Sequence, residues 1–192
     1  MPKPAGAGSG RGPHATAAIL ERGTVPLDLS EAEFRLAQDL LFFGYRDFTK
    51  VADVILEELG LGRAHHRALH FIGRNPGISV SGLLAILRIT KQSLARVLKD
   101  LVDQGFILQR EGREDRRQRL LTTTVKGKQL AVELATTQSQ RIARALSEAG
   151  LTGPELAQRF LFAMVDPDGR AEVARLIHGN VTRGDKIRGE KK

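Results

Sequence analysis

Between Thr90 and Arg119 the chain concentrates side chains suited to one kind of chemistry, the grip of a polyanion whose inner edges also form hydrogen bonds. Arg113, Arg116, Arg117 and Arg119 fall within seven residues, with Glu114 and Asp115 among them. Guanidinium forks pair with phosphate and are drawn into narrow, strongly negative grooves. Ahead of them stands a polar cluster of Thr90, Lys91, Gln92, Ser93, Arg96 and Lys99. Lys and Ser suit phosphate, whereas Gln and Arg make bidentate pairs with the edges of adenine and guanine.

Such groups need elements that hold them on one face. Leu94, Val97, Leu98, Leu101 and Val102 recur at helical spacing and predict an amphipathic helix, capped by Thr90 and stopped by Gly105. Its opposite face presents Lys91, Gln92, Arg96 and Lys99, with Ser93 at the edge. Free amides and the helix dipole favour phosphate at that N-terminal end. A shorter helix, from Val80 or Ser81 to about Leu87, precedes it with Leu83, Leu84 and Leu87 inward. After Gly105, Phe106-Ile107-Leu108 and Arg119-Leu120-Leu121-Thr122 are strand candidates around a charged loop over 111–117. Asp115, two residues before Arg117, is placed to pair with an arginine and hold that loop in shape. A charged helix face or a charged loop alone is commonly just solvated surface. Two helices followed at once by a basic hairpin is the order that seats a helix in a DNA major groove and a finger in the adjoining minor groove.

The charge distribution agrees. The 192 residues carry a formal +8, and residues 61–120 hold 12 Lys or Arg against 5 Asp or Glu, a local +7. Concentrated basic charge is the footprint of a polyanion binder. Apolar residues make up 41% and aromatics 5%, enough for a helical core but sparse in strand-forming runs. Cysteine is absent, which excludes disulfides, thiolate catalysis, thiol redox sensing and Cys-ligated zinc. No apolar run reaches 18 residues and the N-terminus lacks a secretion signal, so a soluble, cytoplasmic protein without membrane contact is expected.

Residues 1–28, rich in Gly, Pro and Ala, are expected to form a disordered arm. Ser30 should cap a helix of about 28 residues with Glu31 and Glu33 in its first turn; Phe34, Leu36, Ala37, Leu40, Leu41, Val51, Val54, Ile55 and Leu59 carry it to Gly60-Leu61-Gly62. That length suits a scaffold shared between subunits. A second helix over about 63–73 turns Ala64, Ala68, Leu69 and Ile72 inward before the Asn75-Pro76-Gly77 turn. A long helix follows Lys126-Gly127 to about Ala149, and Thr152 with Glu155 has capping-box spacing for the next. A last helix is expected from Gly169 to His178, ahead of a basic tail containing Lys186, Arg188, Lys191 and Lys192.

The run Leu84-Ala85, Ile89 to Leu94, Leu101 to Ile107, Asp115-Arg116-Arg117 and Lys126-Gly127 resembles the multiple-antibiotic-resistance-regulator (MarR) family of winged-helix repressors. The resemblance is strong over about 79–127 and consistent over the flanking helices from about 30 to 178. One departure is Thr123-Thr124, where the family usually has Leu-Thr; the arm is also longer than the family needs. The resemblance implies a mainly α fold with a small β-wing. It divides the chain into a 29–62 dimerisation helix, a 63–123 winged helix-turn-helix lobe, 124–180 C-terminal dimerisation helices and a 181–192 tail. It implies a homodimer on a pseudo-palindromic double-stranded operator, with Gln92, Ser93 and Arg96 toward the major groove, Arg116 and Arg117 in the wing, and Asp115 orienting them. Of the two, Arg117 is the first choice for the minor groove. A small effector is expected in a cleft between scaffold and lobe.

Tyr45 and Phe48, with His66 and His70, border the region where that cleft would lie, although core packing and solvated roles suit them as well. His65, His66 and His70 lack a carboxylate or further ligand fixed by the sequence, so neither a metal site nor a cofactor is expected. No nucleophile elbow, phosphate-binding glycine loop or paired-carboxylate motif is present, which speaks against an enzyme. The expected function is a DNA-binding regulator, acting as a repressor. The alternatives are a winged-helix module that docks on an acidic protein without reading DNA sequence, and a ligand scavenger.

Overall fold

The computed structural model describes residues 29–112 and 115–177. The expected 1–28 arm, Arg113, His178 and the 181–192 tail lie outside the described residues.

Helix α1 (Glu31–Glu58) opens on a reciprocal cap. The Glu33 amide donates to Ser30 Oγ at 3.3 Å, and the Glu33 carboxylate accepts the Ser30 N–H at 2.9 Å and its hydroxyl at 2.6 Å. Those bonds, the hydroxyl first, hold the Glu33 carboxyl below its ordinary range. Only Ala52 and Leu56 of this helix are buried. Phe34, Leu36, Leu40, Leu41, Phe42 and Phe43 are exposed, so the N-terminal part of α1 has no core of its own.

The core lies in the next three helices, α2 (Arg63–Arg74), α3 (Val80–Leu87) and α4 (Lys91–Asp103). Ala68, Leu69 and Ile72 meet Leu83 and Leu87, and then Leu94, Val97, Leu98 and Leu101. Phe106, Ile107 and Leu121 close this core on the sheet side, and Leu130 and Leu134 of α5 (Val125–Glu148) close it from the scaffold side. The i, i+3, i+4 stripe of α4 packs as its spacing predicts, except that Val102 at its margin stays 38% exposed.

The sheet is antiparallel in the order β1 (Ile78–Ser79), β3 (Arg119–Thr123), β2 (Ile107–Glu111). In its register Gln109 faces Leu121 and Glu111 faces Arg119. The second strand begins one residue later than expected, because the Phe106 amide still bonds Leu101 C=O at 2.8 Å in the turn that ends α4. Strand β1 has no sequence signature, since two residues cannot display an alternation. It forms because Ile78 and Ser79 pair with Leu121 and Leu120, beside a Gly77 N–H bond to Leu121 C=O at 2.8 Å.

Helix α6 (Glu155–Ala163), a 3-10 turn (Pro167–Gly169) and helix α7 over 170–177 complete the fold. The expected Thr152–Glu155 capping box is not formed, and Pro154 occupies the N-cap without a side-chain bond. A Thr152 cap would bond the N–H of Pro154 or Glu155, and proline has none. The last helix starts at 170 rather than Gly169, after the 3-10 turn capped by Asp166. Among the described residues no helix is long and apolar enough to cross a membrane.

Candidate nucleic-acid interface

Thr90 sets the start of α4. Its backbone is extended, at φ −69° and ψ 151°. Its Oγ1 accepts the Ser93 amide at 3.1 Å and donates to Ser93 Oγ at 2.9 Å. The cap thereby fixes Ser93 at the helix edge and leaves Lys91, Gln92 and Arg96 projecting into solvent. Neither Lys91 nor Arg96 has an ion-pair partner among the described residues. Lys99 is different: it pairs with Asp103 one turn on, and that hydrogen bond raises its pKa above the usual lysine value. The uncommitted positive charge of α4 therefore sits at its N-terminal half, where the dipole also favours anions.

The wing is shaped by its backbone. Asp115 Oδ1 accepts the Arg117 amide at 2.9 Å, Gln118 N–H donates to Asp115 C=O at 3.0 Å, and Gly112 N–H donates to Gln118 C=O at 2.9 Å. Asp115 thus orients the turn by taking a main-chain amide, and among the described residues it has no guanidinium partner of the kind its spacing suggested. A short carboxylate two residues ahead of an amide closes such a turn more readily than it reaches a long side chain. Arg119 is held across the strands by Glu111 at 2.7 Å. Arg116 and Arg117 are exposed and carry no ion pair among the described residues.

Helix and wing share one concavity of about 740 Å³, lined by Lys91, Ala95 and Lys99 from α4 and by Gln109, Arg117 and Arg119 from the wing. Its floor is apolar, with Leu84, Leu94, Leu98 and Val102. Ser79 and Ser81 enter at its edge, their hydroxyls 3.0 Å apart. Sequence reasoning missed these two serines and Gln109: β1 and the full length of β2, which place Ser79 and Gln109, were not visible as patterns, and Ser81 sits in the first turn of α3 beside Ser79. Thr90, Lys91, Gln92, Ser93, Arg96, Asp115, Arg116 and Arg117 are all exposed; Lys91, Lys99 and Arg117 meet in the groove itself.

The sequence profile of the MarR family matches residues 59–118, the span that builds this groove. Over 145 residues the chain is 43% identical to the HTH-type transcriptional regulator PetP of Rhodobacter capsulatus, covering 76% of this chain and 87% of that one. The chain belongs to the MarR family of winged-helix transcriptional regulators. Two solved structures share the fold of this regulator. A putative MarR family transcriptional regulator from Listeria monocytogenes, complexed with a 26mer DNA, has a TM-score of 0.58 at 24% identity and covers 75% of this chain and 95% of its own. A mutant form of MarR from E. coli, complexed with operator DNA, has a TM-score of 0.55 at 22% identity over 73% of this chain and 100% of its own.

The regulator has a second cleft, about 580 Å³, between α2 and α3 on one side and the 165–177 segment on the other. His70, Phe71, Arg74 and Arg88 line it opposite Val165, Asp166, Glu172 and Val173. Of the four residues expected around an effector, His70 alone borders this cleft. Tyr45 is exposed on α1, and Phe48 and His66 are half-buried elsewhere. A period of 3.6 residues places side chains around a helix but does not say which neighbouring segment covers them. Desolvation depresses the pKa of His66; desolvation, then Arg74 and His66, depress that of His70. His65 is engaged otherwise: Nδ1 accepts the Gly62 amide at 3.1 Å, and Nε2 meets Asp100 Oδ2 at 3.1 Å. Among the described residues no three His, Cys, Asp or Glu groups converge as metal ligands do.

Proposed function

We propose that this regulator binds a pseudo-palindromic double-stranded DNA operator as a homodimer, represses from it in the cytoplasm, and is modulated by a small effector. The observation that carries the reading is the set of cations around one groove that have no ion-pair partner among the described residues. Lys91 and Arg117 line that groove, and Arg96 on the helix and Arg116 on the wing, with Gln92, are exposed on the same two elements. Lys91, Arg116 and Arg117 suit phosphate and the minor groove, while Gln92 and Arg96 suit base edges. The two structural neighbours described above were obtained on DNA, which supports DNA as the partner.

The homodimer is supported by apolar surface that the single chain leaves in water. Phe34, Leu40 and Phe42 on α1 and Leu156, Phe160 and Leu161 on α6 are each about half exposed or more. Large apolar side chains left in water in that number mark an interaction face. On this reading 29–62 and 124–180 serve dimerisation and 63–123 serves DNA. The second cleft, between the lobe and the C-terminal segment, is the place for an effector, and His70 is the member of the predicted set that would meet it.

The test is duplex binding by fluorescence anisotropy, using genomic fragments selected by footprinting and random competitor. Arg116→Ala and Arg117→Ala should weaken binding to all duplexes and lower the salt slope by about 1 each. Gln92→Ala and Arg96→Ala should relax sequence choice by roughly 1–3 kcal/mol per contacted base pair. Equal affinity for selected and random DNA would refute this reading in favour of an acidic protein partner.

A further inference from the structure

Helix α4 ends with the wrong charge. Its last turn carries Asp100 and Asp103 and no basic residue, although the negative end of a helix favours a cation. The cation arrives from another element. Lys126, in the first turn of α5, donates from Nζ to Gln104 C=O at 2.9 Å and lies 4.4 Å from the centre of the Phe106 ring. The next two carbonyls are taken from the same side. The Thr124 hydroxyl donates to Gly105 C=O at 2.7 Å, and the Thr124 amide donates to Phe106 C=O at 3.0 Å. That hydroxyl also accepts the Gly127 amide at 3.0 Å and so caps α5. Three successive carbonyls leaving the recognition helix are therefore held by the start of the scaffold helix.

We infer that Lys126 is a positioning residue that fixes the angle between α4 and α5, and thereby the separation of the two recognition helices on DNA. The inference rests on the dimeric DNA reading above. Leverage makes the angle matter. Helix α5 has 24 residues, roughly 36 Å at 1.5 Å per residue, so a tilt of about 5° at the joint moves the far lobe by about 3 Å. One base-pair step is about 3.4 Å. Thr124 contributes to the joint but also caps α5, whereas Lys126 is exposed and can be changed without uncapping α5.

The experiment uses the full chain, as wild type, Lys126→Met and Lys126→Arg. Each is titrated against a footprint-selected duplex and against the same duplex with one base pair added or removed between half-sites, at several salt concentrations. Lys126→Met should bind the native spacing about 3–10-fold more weakly while the altered spacings lose little, so that spacing discrimination falls at least threefold. The salt slope should hold, and Lys126→Arg should restore discrimination. Because the chain has no cysteine, a spin label on Ala95→Cys reports the distance between recognition helices directly; Lys126→Met should broaden it and Lys126→Arg should not. Equal losses on every spacing with a lower salt slope would make Lys126 a phosphate contact and overturn the inference. Unchanged discrimination and an unchanged distance distribution would overturn it too. A wild type that cannot tell selected from random duplex removes the DNA reading itself, and the inference with it.

Discussion

Gly127→Ala is the most demanding test of how the lobe is joined to the scaffold. A Cβ at Gly127 would lie 1.9 Å from the Phe106 carbonyl oxygen and 2.9 Å from its carbon, far inside van der Waals contact. The obstacle is backbone, and it is anchored: that oxygen accepts the Thr124 amide at 3.0 Å, with the Thr124 hydroxyl that serves Gly105 C=O only 3.2 Å away. Relief of about 1 Å must break the amide bond or draw α5 away from the core at Leu130 and Leu134. Overpacking costs about 1–3 kcal/mol and each lost bond about 1 kcal/mol, against about 1 kcal/mol gained in helix propensity. The net loss is about 1–3 kcal/mol, a fall in Tm of roughly 2–12 °C for a chain of this size. Gly73→Ala is the control. It also adds a methyl inside a helix, but its Cβ would meet only Thr123 Cγ2 at 3.7 Å, an ordinary contact. It should stabilise by up to about 1 kcal/mol. Chemical denaturation of both variants checks the pair, and a Gly127→Ala protein as stable as Gly73→Ala would refute the argument from close approach.

Two further outcomes follow from the same lobe. Arg88, the residue between α3 and the turn to α4, has φ 49° and ψ 45°, a left-handed backbone that costs a non-glycine residue about 1 kcal/mol. Arg88→Gly should raise Tm by about 2–4 °C; a fall would mean that its side chain, packed toward Gly169, contributes more than the backbone strain. The depressed His66 and His70 pKa values give a pH dependence with a definite sign. As pH falls through about 6.5 the unfolded chain takes up protons that the folded chain refuses, so stability drops until the lower folded values are passed. Thermal melts at pH 7.5 and 5.5 should show this, and His66→Gln with His70→Gln should shrink the difference. A difference that the double substitution leaves untouched would assign the acid loss to carboxylates instead.

The recognition helix was legible because local rules agree along it. Thr90 is a capping residue, Leu94, Val97, Leu98 and Leu101 share one face, and Gly105, at φ 73°, takes the left-handed turn that ends the helix. There the Gly105 amide bonds Val102 C=O at 2.9 Å, and the Phe106 amide bonds Leu101 C=O, an arrangement glycine makes cheaply. The polar residues left over by that phasing are the exposed ones. Asp115 shows where such reasoning stops. Its proximity to Arg117 was visible, but whether it takes the guanidinium or the amide depends on the turn's dihedral angles. Which residues line the second cleft was not legible either, because that depends on where residues 165–177 fold back.

By itself the sequence determined which residues face inward and which stay at the surface, because side-chain periodicity, caps and charge act within a turn or two of their own position. The tertiary structure alone decided which wing cation is already spent, Arg119 on Glu111 across the paired strands, and left Arg116 and Arg117 without such a partner among the described residues. It alone decided that the end of the recognition helix is held by Thr124 and Lys126, some twenty residues downstream. Partners that far apart meet only when the sheet has paired and the core has closed, and no local rule carries that information.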